Sequence, residues 1–172
     1  TVKASFSIKV SGPIDNKPAK LALNMSKPGP PFAGIGGNFR LQSPADPASI
    51  AFNLENIRVA WGRVELPLSA WQPSENAEPS ATTDTSKLNR NVRGAMEMAR
   101  TLAQKEIPFV ISDWQAPRWA IVPQPRRAAG AVSIPAQRII PEKLPALDKA
   151  IGSYLLYMKD HYGAEPNLFS LN

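Results

Sequence analysis

Val2, Ala4, Phe6, Ile8 and Val10 alternate with Lys3, Ser5, Ser7 and Lys9. A period of two predicts a strand with one wet face, stopped by Ser11-Gly12-Pro13. A weaker apolar stretch at residues 21–25 is placed to pair with it. From Phe32 the pattern changes to short apolar runs separated by stretches of helical period, as in βα units over a parallel sheet. The predicted strands are residues 32–39, rich in glycine; 57–66, ended by Pro67; 109–113, after Pro108; and 168–172. The predicted helices are residues 49–56, 86–105 and 142–162. In the second, Leu88, Val92, Ala95, Met96, Ala99, Leu102 and Ala103 form a stripe that fits the 3.6-residue period. In the third the stripe is Leu144, Leu147, Ile151, Tyr154, Leu155, Met158 and Tyr162. Pro145 is tolerable there only in the first turn, and Gly163 is a natural C-terminal cap.

After the outlying strands the order is therefore β-α-β-α-β-α-β. Such units close as a (β/α)8 TIM barrel or lie open as a doubly wound sheet. A complete barrel takes about 250 residues, and four of eight strands are present. The last run ends on Asn172 with no turn or cap after it, which predicts that the chain is part of something larger. The expected architecture is thus α/β: residues 1–30 form one or two strands of a β-sheet edge outside the main core, and residues 31–172 form strands one to four of a barrel.

Composition is that of a globular chain, 43% hydrophobic and 20% charged, which argues against disorder. The 18 prolines are about twice the ~5% background and stiffen the loops, as in Lys27-Pro28-Gly29-Pro30-Pro31 and Pro123-Gln124-Pro125. No apolar run reaches the ~18 residues of a membrane span. A start at Thr1 is consistent with removal of a targeting segment or with trimming. The absence of cysteine excludes disulfides, thiolate catalysis and Cys-based zinc sites together, without deciding the compartment. One histidine, His161, argues against a Ser-His-Asp triad or a multi-histidine metal site; near a helix C-terminus it complements the dipole.

The net charge of +6 raises nucleic-acid binding, but the arginines weaken that idea. Lys87, Arg90, Arg93 and Arg100 share one side of a helix with Glu97, opposite the apolar stripe, as on a solvated face. Arg118, Arg126 and Arg127 lie in Pro-rich loops without a nucleic-acid motif.

In either α/β architecture the site lies at the C-terminal ends of the strands. On the second strand Trp61, Arg63 and Glu65 share a face opposite Gly62, Val64 and Leu66. Arg63 either points into the mouth, where it meets acids or substrate, or forms a structural pair with Glu65. Strand three runs into Ser112-Asp113-Trp114-Gln115-Ala116-Pro117-Arg118-Trp119. Two tryptophans and an acid there suit a sugar site, because sugar C–H faces stack on indole while carboxylates and amides take hydroxyls. The alternative is that the tryptophans pack the loop onto the core. Gly34-Ile35-Gly36-Gly37-Asn38 suggests a phosphate cradle but lacks the dinucleotide spacing and a following helix; tight packing of the first strand is the simpler account.

Gly34-Ile35-Gly36-Gly37, the 58–67 segment, the 112–119 turn and Ser170-Leu171-Asn172 together resemble clan A glycoside hydrolases, nearest to the family 30-type and endo-galactanase-like enzymes, over residues 32–172. The resemblance implies that residues 1–30 belong to an accessory side β-sandwich and that the parent is a retaining hydrolase of β-linked poly- or oligosaccharide, secreted or periplasmic; no cofactor or metal is expected, and neither nucleic acid nor membrane is expected as a partner. It implies that Asn172 binds the 2-hydroxyl of the sugar at the scissile bond and that Arg63 supports the catalytic carboxylate. Trp114 and Trp119 would wall the cleft, with Asp113 as a hydroxyl contact. The family's acid/base glutamate is expected directly after Asn172 and its nucleophile on a later strand, in the remaining half of the barrel. A chain without either is expected to be inactive alone, since retention needs two carboxyls about 5–5.5 Å apart. The other possibility is a non-catalytic carbohydrate-binding or structural barrel protein.

Overall fold

The computed structural model describes residues 11, 12, 18, 22, 26, 29–123 and 137–171. The expected strand at residues 2–10, all but residue 22 of the 21–25 stretch, Arg126, Arg127 and Asn172 lie outside these. The chain divides into a first unit, Thr1–Phe32, and a second, Ala33–Asn172; the second holds every element below.

It is an α/β unit with a four-stranded, all-parallel sheet in the order β1-β2-β3-β4. The strands are β1 (Ile35–Phe39), β2 (Val59–Glu65), β3 (Phe109–Asp113) and β4 (Leu168–Leu171). They alternate with α1 (Asp46–Asn56), α2 (Leu68–Trp71) followed by α3 (Arg90–Gln104), and α4 (Leu144–Tyr162). The sequential strand order is compatible with part of a barrel.

The two faces of the sheet follow from the period of two. Gly62 and Val64 on β2 and Leu66 just past its end are buried, and so are Phe109 and Ile111 on β3. This face meets α3: a Cβ added at Gly62 would lie 2.5 Å from Leu102 Cδ1. On the opposite face Trp61 stays 40% exposed. Asn38 is in register with Arg63, and Glu65 with Ser112, so polar residues line up across that face.

Element ends differ from the sequence reading where side chains compete for backbone. α3 starts at Arg90 rather than residue 86, because Asp84 Oδ1 accepts from the Ser86 amide (3.0 Å) and caps a separate 3₁₀ turn, Thr85–Lys87. Asn89 Oδ1 then accepts from the Asn91 amide (2.9 Å) and opens the helix proper. α1 starts earlier than residue 49. Asp46 Oδ2 accepts from the amides of Gln42 (2.8 Å) and Ser43 (2.7 Å), and Pro47 fits a first turn. α4 carries Pro145 in its first turn and ends at Gly163, whose φ of 62° lets its N–H reach Lys159 O at 3.0 Å.

The glycine-rich first strand packs close to β2. Gly34 has φ of 110°, and a Cβ there would sit 2.3 Å from Ala60 Cβ. The core centres on α3, α4 and the short α2, which Pro67 had concealed by reading as a stop. α2 buries Leu68 and Trp71. At the sheet margins apolar side chains remain open: Leu168, Phe169 and Leu171 on β4, Ile35 on β1 and Phe52 on α1.

Gly94, buried in α3, tests this packing. Gly→Ala inside a helix ordinarily gains about 1 kcal/mol. Here the new Cβ would lie 2.6 Å from the Leu41 carbonyl oxygen, a backbone atom with little freedom to move. Overpacking of this kind costs about 1–3 kcal/mol, so Gly94→Ala is expected to lower the urea midpoint; a raised midpoint would refute the close approach.

Candidate functional site

The C-terminal ends of β1, β2 and β3 enclose a cleft of about 430 Å³ lined by Asn38, Phe39, Arg40, Gln42, Arg63, Glu65 and Trp114. Its centre is Arg63. The Arg63 Nε–H donates to Ser112 Oγ (2.9 Å) on β3. The guanidinium lies over the Trp114 ring, 4.6 Å from its centroid, a contact worth about 0.5–1 kcal/mol when partly exposed. These two contacts fix a long side chain that would otherwise sample many rotamers. Trp114 keeps 52% of its surface open.

Glu65, on the same face, is held by a different neighbour. The Gln42 side-chain amide donates to Glu65 Oε2, and the Gln42 main chain is pinned in turn by Asp46. The backbone amides of Ser43 and Gln42 hold the Asp46 carboxyl below its ordinary range. The four ion pairs among the described residues include neither Arg63 nor Glu65. Of the two accounts of Arg63, the direct pair with Glu65 is not formed.

The structure therefore brings Arg63 and Trp114 together in this cleft and places neither Trp119 nor Asp113 among its lining residues. Trp119 lies elsewhere: its indole N–H donates to Gln72 O (2.9 Å), and the ring packs against the core. Asp113 ends β3 on the buried face, 1% exposed. It borders a smaller neighbouring pocket of about 300 Å³ with Glu65, Asn91 and Trp114. Its Oδ1 accepts from the Gln115 amide (3.3 Å), while Oδ2 has no partner among the described residues. Asn172 is outside the described residues. His161, in the last turn of α4, stacks on Tyr157 at 4.0 Å between ring centroids. Among the described residues no group of three or more His, Asp and Glu side chains gathers to hold a metal ion.

Arg40 and Gln42 line the cleft and Ser112 holds Arg63 from beneath it, and the sequence reading singles out none of the three. Arg40 had a signal, since it continues the alternation of β1 from Asn38 past the strand's end. Ser112 had none, because a small hydroxyl inside a buried-type strand reads as core.

Burial raises the Asp113 carboxyl above its ordinary range; the amides of Gln115 and Trp114 pull it down, and the nearby Glu65 charge pushes it up. The folded protein thus keeps this proton at pH values where the unfolded chain has lost it. Its contribution makes stability fall as pH rises from about 3.9 through the folded value, with the full penalty standing above. Asp84 and Asp46, both lowered, act in the opposite sense, so the comparison is wild type against Asp113→Asn. The variant is expected to gain on wild type with rising pH in urea unfolding, and a difference flat in pH would show that folding does not raise this carboxyl.

No known protein family, curated protein or solved structure matches this chain.

Proposed function

We propose that this chain forms one wall of a carbohydrate cleft, as the β1–β4 part of a (β/α)8-barrel glycoside hydrolase that cleaves β-linked poly- or oligosaccharide with retention. The observation that supports it most is the Arg63–Trp114 pair, held by Ser112 at the C-terminal ends of parallel strands. A half-open indole offers a sugar ring a stacking surface, and the guanidinium and the Asn38 amide offer donors to its hydroxyls. The apolar residues open on β4 and β1 fit a sheet that continues by further βα units. The side β-sandwich belongs to the same proposal.

Retention requires one carboxyl to protonate the leaving oxygen and a second to attack C1. Glu65 is tied to Gln42 and Asp113 is buried on the other face, so neither stands free in the cleft. The chain alone is expected to bind and not to hydrolyse. That same pairing favours a second reading, a non-catalytic carbohydrate-binding barrel protein.

The test is a panel of soluble β-glucans, xylans, mannans and β-galactans, assayed by affinity electrophoresis and by release of reducing ends. Retardation by at least one polysaccharide without release is the expected result. No retardation by any of them would overturn the carbohydrate reading, and release by the 172-residue chain would overturn its expected inactivity.

A further inference from the structure

We infer that Gln42 is a positioning residue for the cleft: its side-chain amide holds Glu65 aside, which keeps the Arg63 guanidinium from being closed off by a carboxylate of its own strand. This rests on the carbohydrate reading above and adds to it the residue that keeps the site open.

The inference comes from a pairing that strand geometry favours and the structure does not make. Arg63 and Glu65 lie two residues apart on one face of β2, about 7 Å along the strand, and both line the cleft. Side chains of this length span that gap. A guanidinium is a stronger partner for a carboxylate than a neutral amide is, because both groups are charged and two parallel bonds can form. Yet Glu65 Oε2 accepts from the Gln42 side-chain amide, and the four ion pairs among the described residues include neither Arg63 nor Glu65.

Two arrangements let the weaker partner prevail. Gln42 is fixed before its side chain reaches Glu65: Asp46 Oδ2, at the start of α1, accepts from the main-chain amides of Gln42 (2.8 Å) and Ser43 (2.7 Å). A side chain on an anchored turn gives up less freedom when it bonds. Arg63 is held from the other side, with its Nε–H on Ser112 Oγ (2.9 Å) and its plane over Trp114. The chain of contacts therefore runs from the first turn of α1 through Gln42 to Glu65, and its effect is to keep two opposite charges on one strand face apart. On the hydrolase reading Arg63 supports a carboxylate brought by a later strand, and a Glu65 already seated on it would take that place.

The experiment compares the 172-residue chain with Gln42→Met, which keeps the side-chain length and loses the amide. The first readout is a double-mutant cycle of Arg63→Met and Glu65→Gln in urea unfolding, run with Gln42 present and in the Gln42→Met background. The coupling is expected to be within error of zero with Gln42 and about fivefold in the unfolding equilibrium constant without it. The second readout is affinity electrophoresis with the most strongly retarding polysaccharide of the panel. Gln42→Met is expected to weaken binding about tenfold, and adding Glu65→Gln to it is expected to restore most of the affinity, since a neutral side chain no longer forms an ion pair with the guanidinium. A loop that had merely lost support would not be repaired by neutralising Glu65. Equal coupling in both backgrounds, or a binding loss that Glu65→Gln leaves unrepaired, would overturn the role of Gln42 and leave the carbohydrate reading standing. Failure of the wild-type chain to be retarded by any polysaccharide would overturn that reading, and the coupling alone then decides whether Gln42 holds Glu65 off Arg63.

Discussion

Trp71→Ala is expected to destabilise the fold by about 3–5 kcal/mol, a large share of the 5–15 kcal/mol typical of a whole domain. Trp71 is 1% exposed and is among the largest fully buried side chains. It meets Tyr154 edge-on at 5.4 Å between ring centroids and Tyr157 at 5.1 Å, tilted by 59°. Its indole N–H donates to Ser153 Oγ (2.9 Å). Truncation removes both ring contacts and leaves a cavity between α2 and α4, and Tyr157, held through its hydroxyl to Thr82 O (2.7 Å), can close it only in part. Trp71→Phe separates the contributions. Phenylalanine keeps an aromatic surface and loses the hydrogen bond, while Ser153 Oγ still donates to Ala150 O (2.8 Å) and is not orphaned. Its expected cost is about 1–2 kcal/mol. Urea unfolding checks both: the midpoint should fall in the order wild type, Phe, Ala with unchanged slope. A loss below about 1 kcal/mol for Trp71→Ala would show that α2 is not a structural anchor.

That α2 carries so large an expected effect shows where sequence pattern stops informing. β3 was legible to the residue because Pro108 bounds it on one side and the apolar run gives way to Ser112-Asp113 on the other. α4 was legible because its stripe runs over five turns, between a first-turn proline and a glycine cap. α2 spans one turn, too short for any period to show, and Pro67 read as a terminus when it stands just before the helix. The start of α3 was hidden in the same way: Asp84 and Asn89 are both competent caps, and only the packing of Leu88 and Val92 selects between them.

For the cleft, the alternation of β2 placed Arg63 and Glu65 on the open face. It could not say which neighbour each would take, because that depends on the register with β1 and β3 and on a loop residue, Gln42, held by a carboxylate four positions on. Trp114 and Trp119 looked equivalent in sequence. They part because the chain turns into a 3₁₀ segment, Arg118–Ala120, which swings Trp119 toward Gln72 and the core and leaves Trp114 over the cleft.

The division of the two tryptophans yields the second large effect. Trp114→Ala is expected to weaken saccharide binding by about 2 kcal/mol, roughly thirtyfold in Kd, while changing folding stability by less than about 1 kcal/mol. The small stability term follows from exposure: half of the ring already meets water, and the Arg63 contact it loses is worth about 0.5–1 kcal/mol. The large binding term follows from stacking area that no neighbouring side chain replaces, and from the freedom Arg63 regains when only Ser112 holds it. Trp119→Ala is expected to show the reverse profile, because its ring is packed against the core and its indole N–H is bonded to Gln72 O. Stability should fall by about 3 kcal/mol, with saccharide affinity of the remaining folded protein little changed. Affinity electrophoresis with the most strongly retarding polysaccharide of the panel and urea unfolding of the two variants give the four numbers required. If Trp119→Ala lost binding at full stability, or Trp114→Ala lost stability at full binding, the assignment of one indole to the cleft and the other to the core would be reversed. The sugar site would then have to be sought on the far side of the 3₁₀ turn, away from Arg63.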